Sequence, residues 1–315
     1  MEKPLKCSVI IPTYNRAVLL GHTLESLARQ SLPPGQFEVI VVDDGSRDAT
    51  ADVVESFGQR LNLHYFFQED EGYRVAKARN VGIANAAADV CVLIDSGVVL
   101  HSGCLAAHIA SHDAGQGPVA VLGYIRGFSM NGEDRALAGA IDLDDLDGTI
   151  GRMEAAKRWR DVREVFYAKY TDDFHALPAP WVIFWTGNVS ASTELARSIG
   201  GFDEAFQSWA GEDIDFGYRL FNAGAKIVLN RQASSIHLPH PKQFADNNGP
   251  LMANHRYMAA KYGTPIIELL TEWPETLEEL TVDSVTPFSM NDVIRERGLP
   301  SCSEYLRRQG VTPGN

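Results

Sequence analysis

With 315 residues and 45% apolar content, the chain is long enough for one large α/β domain with an extension, or for two modest domains, and has ample material for a core. Its 28 basic against 41 acidic residues give a net charge of −13, which repels nucleic-acid backbones and anionic lipid. No apolar run approaches the roughly 20 residues that span a bilayer, and MEKPLKCSVIIP passes into a strand without a signal-peptide pattern, so the expectation is a cytoplasmic protein with neither a nucleic-acid partner nor a membrane span.

Residues 7–12 form a short apolar strand closed by proline. Asn15 stands where it would cap a helix whose Leu20, Leu24 and Leu27 share one face, and Pro33 with Pro34 stops that helix. A second strand over 37–42 ends in Asp43, Asp44, Gly45 and Ser46, after which Val53, Val54 and Phe57 mark another helix. Residues 63–67 read as a third strand and 72–87 as an alanine-rich helix. Residues 89–94 read as a fourth strand that delivers Asp95, Ser96 and Gly97 to its end. This βαβαβαβ alternation predicts an α/β fold with a mostly parallel sheet. Ligands of such sheets bind beyond the carboxyl ends of the strands, where residues 13–16, 43–46 and 95–97 converge on one crevice. Cys7, Cys91, Cys104 and Cys302 show no paired metal spacing and read as buried thiols.

Between 127 and 179 the alternation lapses into an acidic stretch, IDLDDLDG, and a mixed helix over 152–170. WVIFW, at 181–185, reads either as a buried strand or as an aromatic platform built from Trp181 and Trp185. In WAGEDIDFGYRL, Ile214, Gly217, Tyr218 and Phe221 recur at spacings of three and four, which predicts a helix with one buried face. Glu212, Asp213 and Asp215 then sit in its first turn, where the macrodipole and unpaired amide donors favour carboxylates and would keep Asp213 ionised. Simple charge matching at a helix start is the alternative reading. Residues 226–229 read as a further strand leading to His237. Helices over 252–261, 266–280 and 303–308 close the chain, bracing the domain or forming a homodimer contact.

The segments CSVIIPTYNR, VIVVDDGSRDAT, KARNVGIANA and VCVLIDSG, in that order, resemble the successive blocks of family 2 glycosyltransferases of the GT-A fold. FWTGNVSAS, GGFDEAF and WAGEDIDFGYRL resemble the acceptor-side segment of chondroitin-polymerase-like and galactosyltransferase-like enzymes. The resemblance covers roughly residues 7–240. It implies a Rossmann-like, mostly parallel central sheet flanked by helices over 1–245, with a nucleotide-binding half to about 125 and an acceptor-side half from about 126. A mainly helical C-terminal extension, 246–315, follows. The implied activity is an inverting transfer of a sugar from a nucleotide-diphosphate donor, with UDP favoured, to a nucleophile on a saccharide, peptide or small natural product.

Site roles follow from the same resemblance. Pro12, Thr13, Tyr14 and Arg16 would line the nucleotide loop, Asp44 would read the base, and Arg79, Asn80, Asp95 and Ser96 would abut the donor. Asp213 would be the general base. Glu212 would grip the acceptor together with Asn188 and with Trp209, whose flat face suits a sugar ring. The insert over 127–179 would set acceptor choice. The family pattern Asp-x-Asp ends here in Gly97, which offers no metal ligand; Asp95 with His237 would make a poor Mg²⁺ site and a tolerable Mn²⁺ site, which leaves a divalent cation an open expectation. Without a metal, the leaving-group charge would fall to Arg79, Arg126, His237, His240 and Lys242. The rival readings are a nucleotide-sugar-binding protein without turnover, motivated by Gly97, and a sugar nucleotidyltransferase, whose glycine-rich basic loop PTYNRAVLL lacks.

Overall fold

The computed structural model describes residues 4–114, 117–128, 135–241, 248–274 and 284–309. The apolar runs of the N-terminal part become strands β1 (Cys7–Thr13), β2 (Phe37–Asp43), β3 (Leu63–Phe67) and β4 (Val90–Ile94). Helices α1 (Ala17–Ala28), α2 (Thr50–Ser56) and α3 (Val75–Asn85) make the crossovers. β1, β2 and β4 are buried at every position, as strands covered on both faces of a parallel sheet must be. Their pairings β1–β2, β2–β3 and β1–β4 are all parallel.

The following part contributes β5 (Val98–Leu100), α4 (Cys104–Ala114), β6 (Val119–Arg126), α5 (Arg135–Ala140), α6 (Leu146–Ala155), α7 (Glu164–Tyr170), β7 (Asn188–Ser192), α8 (Thr193–Ser198), α9 (Glu212–Asn222) and β8 (Lys226–His237). Among the described residues the sheet has the order β3-β2-β1-β4-β7-β6-β8-β5. It is mostly parallel, with β7 and β5 inserted antiparallel. Because β7 runs against β4, its amino end at Asn188 lies beside Ile94, at the carboxyl end of β4.

Alternate residues of each strand feed different cores. Ile10 and Ile40 join an apolar cluster that includes Trp181, Phe216 and Ile214, whereas Val9 and Val39 pack with Leu24 and Leu105 on the other face. Helices α10 (Asn248–Tyr262), α11 (Pro265–Glu268), α12 (Met290–Glu296) and α13 (Cys302–Arg308) follow β8. Met258, Ile266, Met290 and Ile294 enter the same cluster as α9, so the C-terminal helices do brace the sheet domain. All four cysteines are free and buried, as expected. Among the described residues no helix is long and apolar enough to cross a membrane.

Several local expectations need correction. Asn15 does not cap α1: its side chain accepts from the Arg47 amide, and Asp48, from the neighbouring loop, accepts from the Ala17 amide instead. The helix expected over 152–170 is broken between α6 and α7, where Lys157 and Trp159 take positive φ. The break lets Arg163 fork onto Asp161 and donate to the Gly123 carbonyl, a buried pairing that a continuous helix would not permit. Residues 181–184 are buried but form no strand; Pro180–Ile183 is a 3₁₀ turn, with Trp181 edge-on to Tyr218. The helix expected over 266–280 stops early in a 3₁₀ turn, Leu269–Glu272, and its end lies outside the described residues.

Candidate active site

The loops after β1, β2 and β4 are tied into one rim. The Asp44 amide donates to the Thr13 carbonyl at 2.9 Å, the Asn15 amide to Ser46 Oγ at 2.7 Å, and Thr13 Oγ1 to Ser96 Oγ at 3.4 Å. Asp43 shapes the turn: its carboxylate accepts from the Ser46 amide and from the Tyr65 hydroxyl. Asp44 accepts from Gln68 and from the Arg74 amide, and burial raises its carboxyl above the usual range. Pro12 and Thr13 are buried in the strand end, whereas Tyr14 and Arg16 are exposed. The Tyr14 hydroxyl donates to Asp70. Arg16 donates to His240 Nε2 at 2.9 Å while His240 Nδ1 donates to the Leu238 carbonyl, an arrangement that fixes a neutral tautomer.

Arg79, on α3, joins the strand ends to the far side of the crevice. Its guanidinium is 3% exposed and donates to Asp95 at 3.0 Å and to Glu212 at 2.9 Å, two residues that sequence alone does not connect. Burial opposes its charge, but the two carboxylates outweigh that effect and raise its pKa. Three acids thus gather about one guanidinium, since Asp213 follows Glu212 directly.

The start of α9 is held in place by backbone devices. Gly211 has φ of +97°, and a Cβ there would lie 2.9 Å from Phe206 and 3.0 Å from Asn254. The Asn254 amide, from α10, donates to the carbonyls of Ala210 and Trp209. One oxygen of Glu212 is buried without a hydrogen-bond partner among the described residues. Asp213 accepts from the Ile214 amide, but burial, followed by the charge of Glu212, raises its pKa from 3.8 to about 7, so the helix start does not hold it ionised as the sequence suggests. Tyr73 was absent from the expected site. The residue is 40% exposed, but burial of its hydroxyl end and then the Glu212 charge push that hydroxyl well up, with Arg79 opposing and Asp95 and Asp213 adding to the effect.

Two of the expected site residues are engaged inside the fold. Asn188 is fully buried: its amide donates to the Ala233 carbonyl and to Ser235 Oγ, and its oxygen accepts from His108 Nε2. Burial holds that imidazole neutral, down to about 4. Asn80 is bound to the loop before α9 through Phe202 and Glu204, which fastens α3 to that loop. Trp209 remains partly exposed before α9. Trp181 is buried, and Trp185 is partly buried with its indole donating to the Val182 carbonyl. Arg126 faces a separate cavity, and Lys242 lies outside the described residues.

The metal expectation meets a poor donor set. Asp95 already commits one oxygen to Arg79. His237 stands beside the 95–97 turn, because Leu238 donates to the Gly97 carbonyl, but its ring stacks on His240 and meets the edge of Phe128. Among the described residues no three His, Cys, Asp or Glu side chains stand together as a metal cage. Gly97 has φ of +98° and a Cβ there would face Leu19 at 3.5 Å, so the backbone suits glycine and turns any side chain toward apolar packing. These side chains do not fit a divalent-cation site by themselves, and no step is derived through one.

Residues 8–165 match the family described as glycosyl transferase family 2, and residues 172–241 match the N-terminal domain of galactosyltransferase. Validoxylamine A glucosyltransferase of Streptomyces hygroscopicus subsp. limoneus is 39% identical over 263 residues, covering 83% of this chain and 58% of that protein. Chondroitin synthase of Pasteurella multocida (strain Pm70) is 30% identical over 240 residues, covering 71% of this chain and 24% of that one. The chain thus spans about three-fifths of the length of the glucosyltransferase it matches. Two solved structures share the GT-A fold. S. aureus TarS 1–349 in complex with UDP-GlcNAc has a TM-score of 0.56 at 19% identity, covering 85% of this chain and 71% of that one. Mannosyltransferase PcManGT from Pyrobaculum calidifontis, in complex with GDP-Man and Mn²⁺, has a TM-score of 0.55 at 17% identity, covering 98% and 76%.

Proposed function

The chain belongs to glycosyl transferase family 2, and from that membership we propose that it transfers a sugar, with inversion, from a UDP-sugar to an acceptor nucleophile. The observation that carries the reading is the ion triad in which Arg79 ties Asp95, at the end of β4, to Glu212, at the start of α9. Donor-side and acceptor-side elements meet there, and Asp213 is the next residue.

Asp213 is the general base. A carboxyl raised to about 7 changes protonation state near neutral pH, where a base is most effective. It takes the acceptor proton as the nucleophile's electron pair forms the bond to the anomeric carbon. The bond from that carbon to the diphosphate oxygen breaks on the opposite side, and the pair leaves with the diphosphate. Asp44 reads the base, and the strand-end loop with Arg16 receives the phosphates. Glu212, one of whose buried oxygens has no partner among the described residues, accepts from an acceptor hydroxyl. A UDP donor is supported by Asp44 and by the UDP-GlcNAc named for the TarS structure. The glucosyltransferase relative supplies the first pair to try, a glucosyl donor with validoxylamine A as acceptor.

The test is Asp213→Asn. Calorimetry should find UDP binding unchanged, while transfer falls by about 10²- to 10⁴-fold. Wild-type turnover in that variant removes Asp213 as base; absence of UDP binding in the parent protein removes the donor assignment.

A further inference from the structure

A second cavity, of about 530 Å³, opens between α4, α6 and the β6–β8 edge. It shares no lining residue with the crevice of Asp95, Arg79 and Asp213. Arg126 and Ser234 line it, at 7% and 5% exposure. Arg126 Nε and Ser234 Oγ are both buried without a hydrogen-bond partner among the described residues. Leaving such donors unmet is costly, and more so on a charged group.

The other buried guanidinium of this half shows how the fold ordinarily treats the problem. Arg163 is forked onto Asp161 and also donates to a backbone carbonyl. Arg126 instead lies over the Tyr124 ring, 4.8 Å from its centroid, and among the described residues its nearest carboxylate is Glu154 at 3.8 Å, on a side chain 74% exposed to water. That contact is too long for a hydrogen bond and too wet to neutralise the charge. Arg231, on the same wall, is already matched by Glu164 and Asp172.

We infer that this cavity is a second binding site, for a small organic ligand bearing an oxyanion, either carboxylate or phosphate. Arg126 lines the cavity, where its terminal N–H groups can meet two oxygens of such a group, and Ser234, on the same wall, can turn its hydroxyl to supply a third donor. The volume exceeds what one ion fills and lies in the range of small-molecule sites. Ala107 and Ile150 give the carbon skeleton an apolar wall. The site sits next to the crevice through β6, because Ile125 approaches Gly187, whose carbonyl accepts from the Asp95 amide.

The experiment is calorimetric titration of the full chain, in saturating UDP, with glucuronate, glucose 1-phosphate, inorganic phosphate and, as a neutral control, glucose. Binding of glucuronate alone identifies a carboxylate ligand, and binding of the phosphates alone a phosphorylated one; either supports the site. Arg126→Met should weaken that binding by at least about tenfold and Ser234→Ala by about fivefold, from the worth of charged and neutral hydrogen bonds. The serine variant keeps the test alive if the arginine variant does not fold. The inference is overturned if none of the anions binds, if glucose binds as well as they do, or if the folded variants bind as the parent does.

Discussion

Asp213 and Asp215 stand two residues apart on α9, and the fold treats them in opposite ways. Asp215 is fully buried and richly matched: it accepts from the Tyr262 hydroxyl at 2.6 Å, from Lys261 at 2.8 Å and from Arg219 at 2.7 Å. Toward the crevice, Glu212 and Asp213 meet Asp95 from the end of β4 about the single guanidinium of Arg79, and one Glu212 oxygen has no partner among the described residues. Where α9 is anchored to α10, donors outnumber acids; where it faces the crevice, acids outnumber donors. Burial beside a like charge, with too few donors to offset it, is what raises the Asp213 carboxyl into the range useful for proton transfer. The anchored turn keeps that shortage from unravelling the helix.

Removing Asp215 should therefore have the largest effect on folding. Asp215→Ala strands Lys261, Arg219 and Tyr262 around a hole, at a cost of about 3–5 kcal/mol for breaking a buried charged pair. Urea unfolding measures this directly, and a loss below about 1 kcal/mol would show that water or neighbours replace the carboxylate easily.

Asp213 should behave the other way. Its folded pKa, about 7, lies above the ordinary 3.8. Between those values the folded chain holds a proton that the unfolded chain has released, so stability falls as pH rises from about 4 to about 7. Asp213→Asn should abolish that slope and, at pH 8, stabilise the protein by on the order of 1–3 kcal/mol after allowance for partial exposure. Thermal melts of both proteins from pH 4 to 8 decide the matter. Parallel curves would mean that Asp213 is not held protonated by its surroundings.

The sequence made some of this legible and hid the rest for physical reasons. β1 to β4 and the three crossover helices stand out because apolar runs and turn residues are local signals. The acidic first turn of α9 was visible for the same reason. β7 was not, because its pairing with β4 and β6 depends on where a distant segment returns, and no periodicity encodes that. The 152–170 helix was overcalled because its break serves a buried pair, Asp161 with Arg163, that only the tertiary fold reveals. Arg79 was recognised, but its partner Glu212 lies 133 residues away. The link that Asn188 makes between His108 and β8 is hidden as well, because a polar residue in a family block looks the same whether it faces a ligand or neighbouring elements.

Gly97 offers the smallest and sharpest test, since an aspartate there would add a fourth acid to the side already short of donors. The backbone argues that it would not reach the crevice. With φ at +98° and Leu19 at 3.5 Å from the new Cβ, Gly97→Ala and Gly97→Asp should both lose about 1–2 kcal/mol through backbone strain alone. Mn²⁺ should then raise the melting temperature of the aspartate variant no more than that of the alanine variant. A larger Mn²⁺ shift for Gly97→Asp would place its carboxylate beside Asp95 and His237, and the turn would then be short of a cation instead of closed to one.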